Sequence, residues 1–238
     1  MKRLVLFDID GTLIMTGGAG SRAVAGACNA LFPVEGNGSR FDDVPLAGRT
    51  DRWIFAEYAR RRGVDIDDVG LARLRAVYLE HLIREIREPS PSKRVLPGVR
   101  ALLNRLSGHD EVCLGLLTGN VADGAQIKLE HFDLWRYFVA GGFGDAALDR
   151  TAMFTAALKA VFAICGVEFA PEDVVVVGDT PLDVAVAVET GARSVAVATG
   201  THSAESLWDA GADEVLADLG DLNAALRALQ VPDTSPTS

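Results

Sequence analysis

The chain has 238 residues, 49% of them hydrophobic, and a formal net charge of −10. That length suits one large domain, or a core with a smaller insert, and the apolar share is enough to bury a sizeable core. The acidic balance excludes a broad nucleic-acid or anionic-membrane surface, since both need a basic face. It leaves room for a small anionic partner, because a metal ion and a few basic groups can reverse the sign inside a cleft.

Cys28, Cys113 and Cys165 show no CxxC or zinc-type spacing and lie among apolar residues, so they read as small buried hydrophobes in a reducing compartment. The opening run MKRLVLF is interrupted by Asp8, too early for a signal peptide. No segment approaches the length of a membrane-spanning helix, and the expected location is the cytoplasm.

In chain order, residues 3–7 (RLVLF) form an apolar run that reads as a buried strand. Residues 18–31, 50–62 and 68–87 carry helical spacing, the last with Leu71, Leu74, Val77, Tyr78 and Leu82 on one face. Gly17, Gly18 and Gly20 read as a hinge into this helical region, and 88–97 (EPSPSKRVLP) as the linker out of it. A helix over 98–107 follows, with Val99, Leu102, Leu103 and Leu106 in a stripe. Strands are expected at 111–117, 173–178, 193–198 and, more weakly, 213–216, with helices at 150–164, 182–190 and 218–229. Strands alternating with helices mean βαβ units and a mostly parallel sheet. The expected fold is therefore α/β, a doubly wound parallel sheet with an inserted all-helical second domain. Residues 1–16 and 92–230 would form the core, 17–91 the insert, and 231–238 a disordered tail.

Ligands of open parallel sheets bind beyond the carboxyl ends of the strands. Three runs end in Asp8-Ile9-Asp10-Gly11-Thr12, Thr118-Gly119-Asn120 and Gly178-Asp179-Thr180-Pro181-Leu182-Asp183. Brought together, they place several carboxylates, a hydroxyl and free amides around one point. Oxygen-only ligands that still admit a phosphate suit Mg²⁺. A carboxylate in such a site can attack phosphorus, a second can move the proton, and Thr118 with the Gly119 and Asn120 amides can hold non-bridging oxygens. Each motif also has a plainer reading: Asp10-Gly11 as a turn, Thr118 as a cap for a helix starting near Val121, Asp183 as a first-turn acid. His81, His109, His131 and His202 share no spacing, and Trp53, Trp135 and Trp208 read as packing residues.

DIDGT, TGN and GDTPLD, in this order and on these elements, resemble the haloacid dehalogenase superfamily, and within it the phosphoglycolate-phosphatase-like branch. The helical insert is similar to that family's mobile cap. The resemblance implies that Asp8 is nucleophile and metal ligand, and that Asp10 is general acid/base, with its backbone carbonyl on the metal. It further implies that Asp179 is a direct metal ligand, that Asp183 supports the site from behind, and that Thr118 binds the phosphoryl group. Asp10 points to a phosphatase rather than a dehalogenase. The family's usual phosphate-neutralising lysine has no plain counterpart: Lys128 falls inside the helix after TGN, and Arg150 stands where the lysine is expected, with Lys159 as the alternative. Arg49 and Asp51, in LAGRTD, resemble the stretch that reaches toward substrate in this branch. The implied activity is Mg²⁺-dependent hydrolysis of a small phosphorylated metabolite, phosphoglycolate-like or a sugar phosphate. The alternatives are a phosphotransferase or mutase of the same family, or a binding protein that kept the fold.

Overall fold

The computed structural model describes residues 2–33, 46–145 and 149–231. Its central sheet holds β1 (Arg3–Phe7), β4 (Val112–Thr118), β5 (Ala140–Phe143), β6 (Val174–Gly178), β7 (Arg193–Val197) and β8 (Glu214–Leu216). Their order is β5-β4-β1-β6-β7-β8, every pairing parallel. After β1 the chain runs outward through β4 to β5, then returns to the other side of β1 for β6, β7 and β8. The direction reverses at β1, which is where such sheets open a crevice.

The sheet is buried on both faces because its strands alternate apolar residues with other apolar residues. Val5, Phe7, Leu114, Leu116, Val175 and Val177 face one core, with α4 (Val99–Ser107), α5 (Ala122–His131) and α9 (Leu222–Ala228) over it. Leu4, Leu6, Leu117, Val174 and Val176 face the other, under α6 (Arg150–Cys165) and α7 (Pro181–Thr190). The stripe Val99, Leu102, Leu103 and Leu106 is buried as its spacing requires.

Several short elements depart from the sequence expectation. β5 is Ala-Gly-Gly-Phe, with little β-propensity of its own; the backbone of α6 lies directly against Gly142, closer than any side chain there would permit. The short helix α8 (Ala204–Asp209) also lacks an apolar run long enough to read. The cysteines divide: Cys28 is buried, but Cys165 is exposed, and its sulfur lies 3.5 Å from that of half-buried Cys113. Two of the three are therefore not simple core residues. The expected disordered tail, apart from Val231, lies outside the described residues.

Helices α1 (Ala19–Leu31), α2 (Asp51–Arg61) and α3 (Asp68–Glu85) form a separate cluster with its own core of Ala23, Ala27, Ile54, Phe55, Tyr58, Leu74, Tyr78 and Leu82. Val121, from the edge of the sheet domain, joins that core. The two chain crossings between the bodies lie side by side as a small antiparallel ribbon, β2 (Ile14–Met15) against β3 (Arg94–Val95). Gly17 and Gly18 follow β2 with φ of 64° and 79°, a left-handed turn that side chains resist. Among the described residues, no helix is long and apolar enough to cross a membrane.

Candidate active site

β1 pairs with β4 and β6 in a register that puts Phe7 beside Leu116 and Val177. The next residues on the three strands are therefore neighbours: Asp8 falls beside Leu117 and Gly178, one residue short of Thr118 on β4 and of Asp179 beyond β6. The Asp8 amide donates to the Val177 carbonyl at 2.9 Å, which extends the ladder by one bond and fixes the carboxyl at the sheet edge. Asp8, Asp179 and Asp183 are all buried, and each offers a carboxylate oxygen within 4.8 Å of the others.

Such crowding is electrostatically expensive. Burial pushes the Asp8 carboxyl up to about 7; Asp183 adds to this, and Arg150 opposes it. Burial, then Asp8 and Asp183, push Asp179 up to about 8. Thr12 Oγ1 donates to Asp179 at 3.1 Å. The donor set is all oxygen, buried and short of positive charge, which is the chemistry of a hard divalent cation site.

Asp183 holds two jobs at once. Its Oδ2 accepts from the Thr180 amide at 3.0 Å and the Thr180 hydroxyl at 2.7 Å, the reciprocal cap of α7. Its Oδ1 is ion-paired with Arg150. Arg150 is the first residue of α6, behind the cap Asp149, whose carboxylate accepts from the Ala152 amide at 2.7 Å. Burial works against the Arg150 charge, but Asp183, Asp8 and Asp179 outweigh it and hold the guanidinium ionised. Its Nε and Nη2 donate to the Gly48 carbonyl at 3.2 and 3.1 Å, which ties the helical body to the sheet. Lys159, the alternative, is exposed further along α6 and does not line the cavity.

Thr118 is fully buried, and its hydroxyl accepts from Asn120 Nδ2 at 2.8 Å. It does not cap α5, whose N-terminal residue Val121 has no side-chain cap. Gly119 meets the helical body: a Cβ there would run into the Arg49 carbonyl oxygen, and the Gly119 carbonyl accepts from the Asp51 amide at 2.7 Å. The Asp51 carboxylate, pushed up to about 6 by burial, accepts from the Val121 amide at 2.9 Å. Arg49 lines the cavity and stacks its guanidinium 4.8 Å over the ring of Trp53.

The residue that the sequence reading passed over is Lys128. Its side chain is 5% exposed, and Nζ donates to Asp10 Oδ2 and Asn120 Oδ1, both at 2.6 Å. Burial again works against the charge, and Asp10, Asp51 and Asp8 outweigh it. The signal was its spacing: Lys128 shares the buried face of α5 with Gly124 and Ala125, where a solvated lysine would not sit.

Most of these groups, but not Asp183, open on one cavity of about 240 Å³. Its floor is Asp8, Asp10, Thr118, Asn120, Lys128, Arg150 and Asp179; its roof is Val24, Leu46, Ile54, Phe55 and Tyr78 from the helical body.

A doubly wound sheet with a buried carboxylate cluster at its strand ends, roofed by helices, is the frame of an enzyme active site. The chain belongs to the haloacid dehalogenase-like hydrolases, whose family model matches residues 5–187. It is 30% identical over 231 residues to the phosphoglycolate phosphatase of Rhodospirillum rubrum, covering 93% of this chain and 90% of that protein. It is 29% identical to the phosphoglycolate phosphatase of Synechococcus elongatus, covering 94% and 97%. In fold it superposes on CbbY of Rhodobacter sphaeroides, crystallised with phosphate, with a TM-score of 0.71 at 19% identity over 93% of this chain and 96% of that one.

Proposed function

We propose that the chain is a Mg²⁺-dependent phosphatase that hydrolyses a small phosphomonoester through an aspartyl-phosphate on Asp8. The observation that carries this reading is the clustering of the Asp8, Asp179 and Asp183 carboxylates, with Asp10 lining the same cavity and Arg150 and Lys128 paired to Asp183 and Asp10. The likeness to two phosphoglycolate phosphatases supports the substrate class.

The carboxylates of Asp8 and Asp179, with the Asp10 backbone carbonyl, would hold Mg²⁺; Asp183 backs them through Thr180 and Arg150. When bound, the ion offsets the clustered negative charge and polarises the phosphoryl group. Asp8 attacks phosphorus as the ester bond breaks, and Asp10 gives its proton to the departing alkoxide. Asp10, now a carboxylate, then takes a proton from water. The hydroxide displaces the Asp8 oxygen from phosphorus, and inorganic phosphate leaves. Thr118, the amides of Gly119 and Asn120, and Arg150 hold the non-bridging oxygens in both steps, which is most of what phosphoryl transfer requires. Residues 17–91 act as a cap over a core of 1–16 and 92–230, excluding bulk water and selecting the leaving group, with Arg49 on its inner edge. Three free cysteines fit a cytoplasmic setting.

The test is phosphate release from a panel of phosphomonoesters, with and without Mg²⁺, by the native chain and Asp8→Asn. Mg²⁺-dependent release that vanishes in Asp8→Asn is expected. Equal release by Asp8→Asn would remove the nucleophile assignment, and no release from any ester would remove the phosphatase reading.

A further inference from the structure

We propose that Lys128 is the positioning residue for Asp10: together with Asn120 it pins one oxygen of that carboxyl, so that the other is presented to the leaving group. This rests on the phosphatase reading above and adds to it a residue outside the motifs.

Asp10 Oδ2 receives two donors, Lys128 Nζ at 2.6 Å and Asn120 Nδ2 at 2.9 Å. Lys128 also donates to Asn120 Oδ1 at 2.6 Å, so the three side chains close a triangle. Asn120 is itself tied to Thr118 by its Nδ2, which links the triangle to the end of β4. Among the described residues, Asp10 Oδ1 receives no hydrogen bond, and the Asp10 side chain is 40% exposed toward the cavity.

The asymmetry has a mechanical meaning. A carboxyl group held through neither oxygen turns freely about its last bond and spends little time aimed at one reacting atom. Held through both, it has no oxygen left for a proton. Held through Oδ2 alone, by two donors, it keeps a fixed plane and leaves Oδ1 as the oxygen that carries the proton. A neutral donor could fix the plane, but Asp10 stands beside Asp8, and like charges repel. A buried ammonium offsets that repulsion and keeps Asp10 turned inward. The helix makes Lys128 a rigid anchor: its stem packs on the face of α5 that carries Gly124 and Ala125, and Nζ passes close to the α1 backbone at Gly20.

A general acid matters in proportion to the basicity of the leaving group. An alkoxide needs the proton as it departs; p-nitrophenolate, a weak base, does not. The quantity to read is kcat/KM, which reports steps up to departure of the alcohol and is blind to the later hydrolysis of the aspartyl-phosphate. The experiment compares native chain and Lys128→Met on p-nitrophenyl phosphate and on whichever of 2-phosphoglycolate, glycerol 3-phosphate and glucose 6-phosphate the native chain cleaves fastest.

The expected result is a fall of about 10- to 100-fold on the alkyl ester, with p-nitrophenyl phosphate kept within about threefold, since misplacing one general acid forfeits part of its 10²–10⁴-fold contribution. Retained cleavage of the activated ester also shows that the variant is folded. Equal losses on both esters would make Lys128 a phosphate ligand or a structural residue and overturn the proposal, as would no loss on either. Should Lys128→Met not fold, Lys128→Gln, too short to reach Asp10, is read in the same way. A native chain that cleaves only p-nitrophenyl phosphate has no working acid to position, which overturns this proposal while the nucleophile assignment stands. A native chain that cleaves neither ester removes the phosphatase reading itself.

Discussion

Arg150 and Asp183 form an ion pair beside Asp8, with side chains only 10% and 2% exposed. The same guanidinium reaches the Gly48 carbonyl, so one residue joins the carboxylate cluster to the loop before α2. Removing one partner of a buried pair leaves the other charged and unpaired, at a cost of about 3–5 kcal/mol. Arg150→Met should therefore lower the unfolding free energy by about that amount in a urea titration, and should raise KM because the cap loop loses its anchor. Arg150→Met with unchanged stability would show that Asp183 is compensated elsewhere.

The carboxylate cluster predicts an unusual pH dependence for metal-free protein. The Asp8 and Asp179 carboxyls rise from an ordinary 3.8 to about 7 and about 8. Between those limits the folded chain binds more protons than the unfolded one, so stability is greatest at the acid end and is lost as pH rises through the window. Thermal melts in chelator should show a falling Tm from about pH 5 to pH 8. Added Mg²⁺ should reverse the loss, and by more at pH 8 than at pH 5, because it replaces protons on the same oxygens. At about 100-fold excess over Kd, binding contributes about 2.7 kcal/mol. That amounts to about 5–10 °C for a chain of this size. A Tm that rises with pH in chelator would contradict the charge distribution described above.

Tyr78 offers the roof's unsatisfied donor. Its side chain is 2% exposed, it lines the cavity, and among the described residues its hydroxyl makes no hydrogen bond. Burial, with Asp51 and Asp10 adding, pushes its pKa well above 10, so the hydroxyl keeps its proton at working pH. Tyr78→Phe removes only that oxygen. Loss of one hydrogen bond is worth about 0.5–1.5 kcal/mol, so kcat/KM should fall about 2- to 12-fold on esters whose leaving group carries an acceptor, and not on ethyl phosphate. Equal effects on both kinds of ester would mean that Tyr78 only packs against Phe55, whose ring lies 5.0 Å away.

Much of this arrangement was legible in the sequence, for a physical reason. β1 and β6 are unbroken apolar runs because both faces of a parallel sheet are covered, and each ends where chemistry replaces packing, at Asp8 and at Asp179. α1, α2 and α3 show helical spacing without any strand between them, which separates the insert. β5 was not legible, since two glycines carry no strand signal and the strand is defined by its pairing with β4 and by α6 packed against it. Lys128 was passed over for a related reason. Its helical spacing marks it as buried, but its partners are set by where α5 points it, eight residues past Asn120, and that the spacing does not show. Asp51 is a third case: the sequence groups it with Arg49 in a stretch that resembles one reaching toward substrate, yet its carboxylate reaches across to the Val121 amide of the core.

One close contact between the two bodies is made by a missing side chain. At Gly119 the backbone of the Thr118-Gly119-Asn120 turn touches the backbone of Arg49 and Thr50, and the Gly119 carbonyl takes the Asp51 amide at 2.7 Å. A methyl group in that gap must displace the 46–50 loop, because the atoms it meets are backbone and cannot rotate away. Gly119→Ala should therefore leave the sheet core intact but hold the cap away from it. The Arg150–Gly48 contact and the Asp51–Val121 bond would open together. Hydrogen exchange should rise at the start of α2 and not in β1 or β6. Turnover should fall by up to about 100-fold, since a displacement on the order of 1 Å at a phosphoryl-transfer site costs that much. Unchanged exchange at α2 with full activity would mean that the loop adjusts without opening. The closed contact at Gly119 would then be incidental to catalysis rather than the seat of the cap.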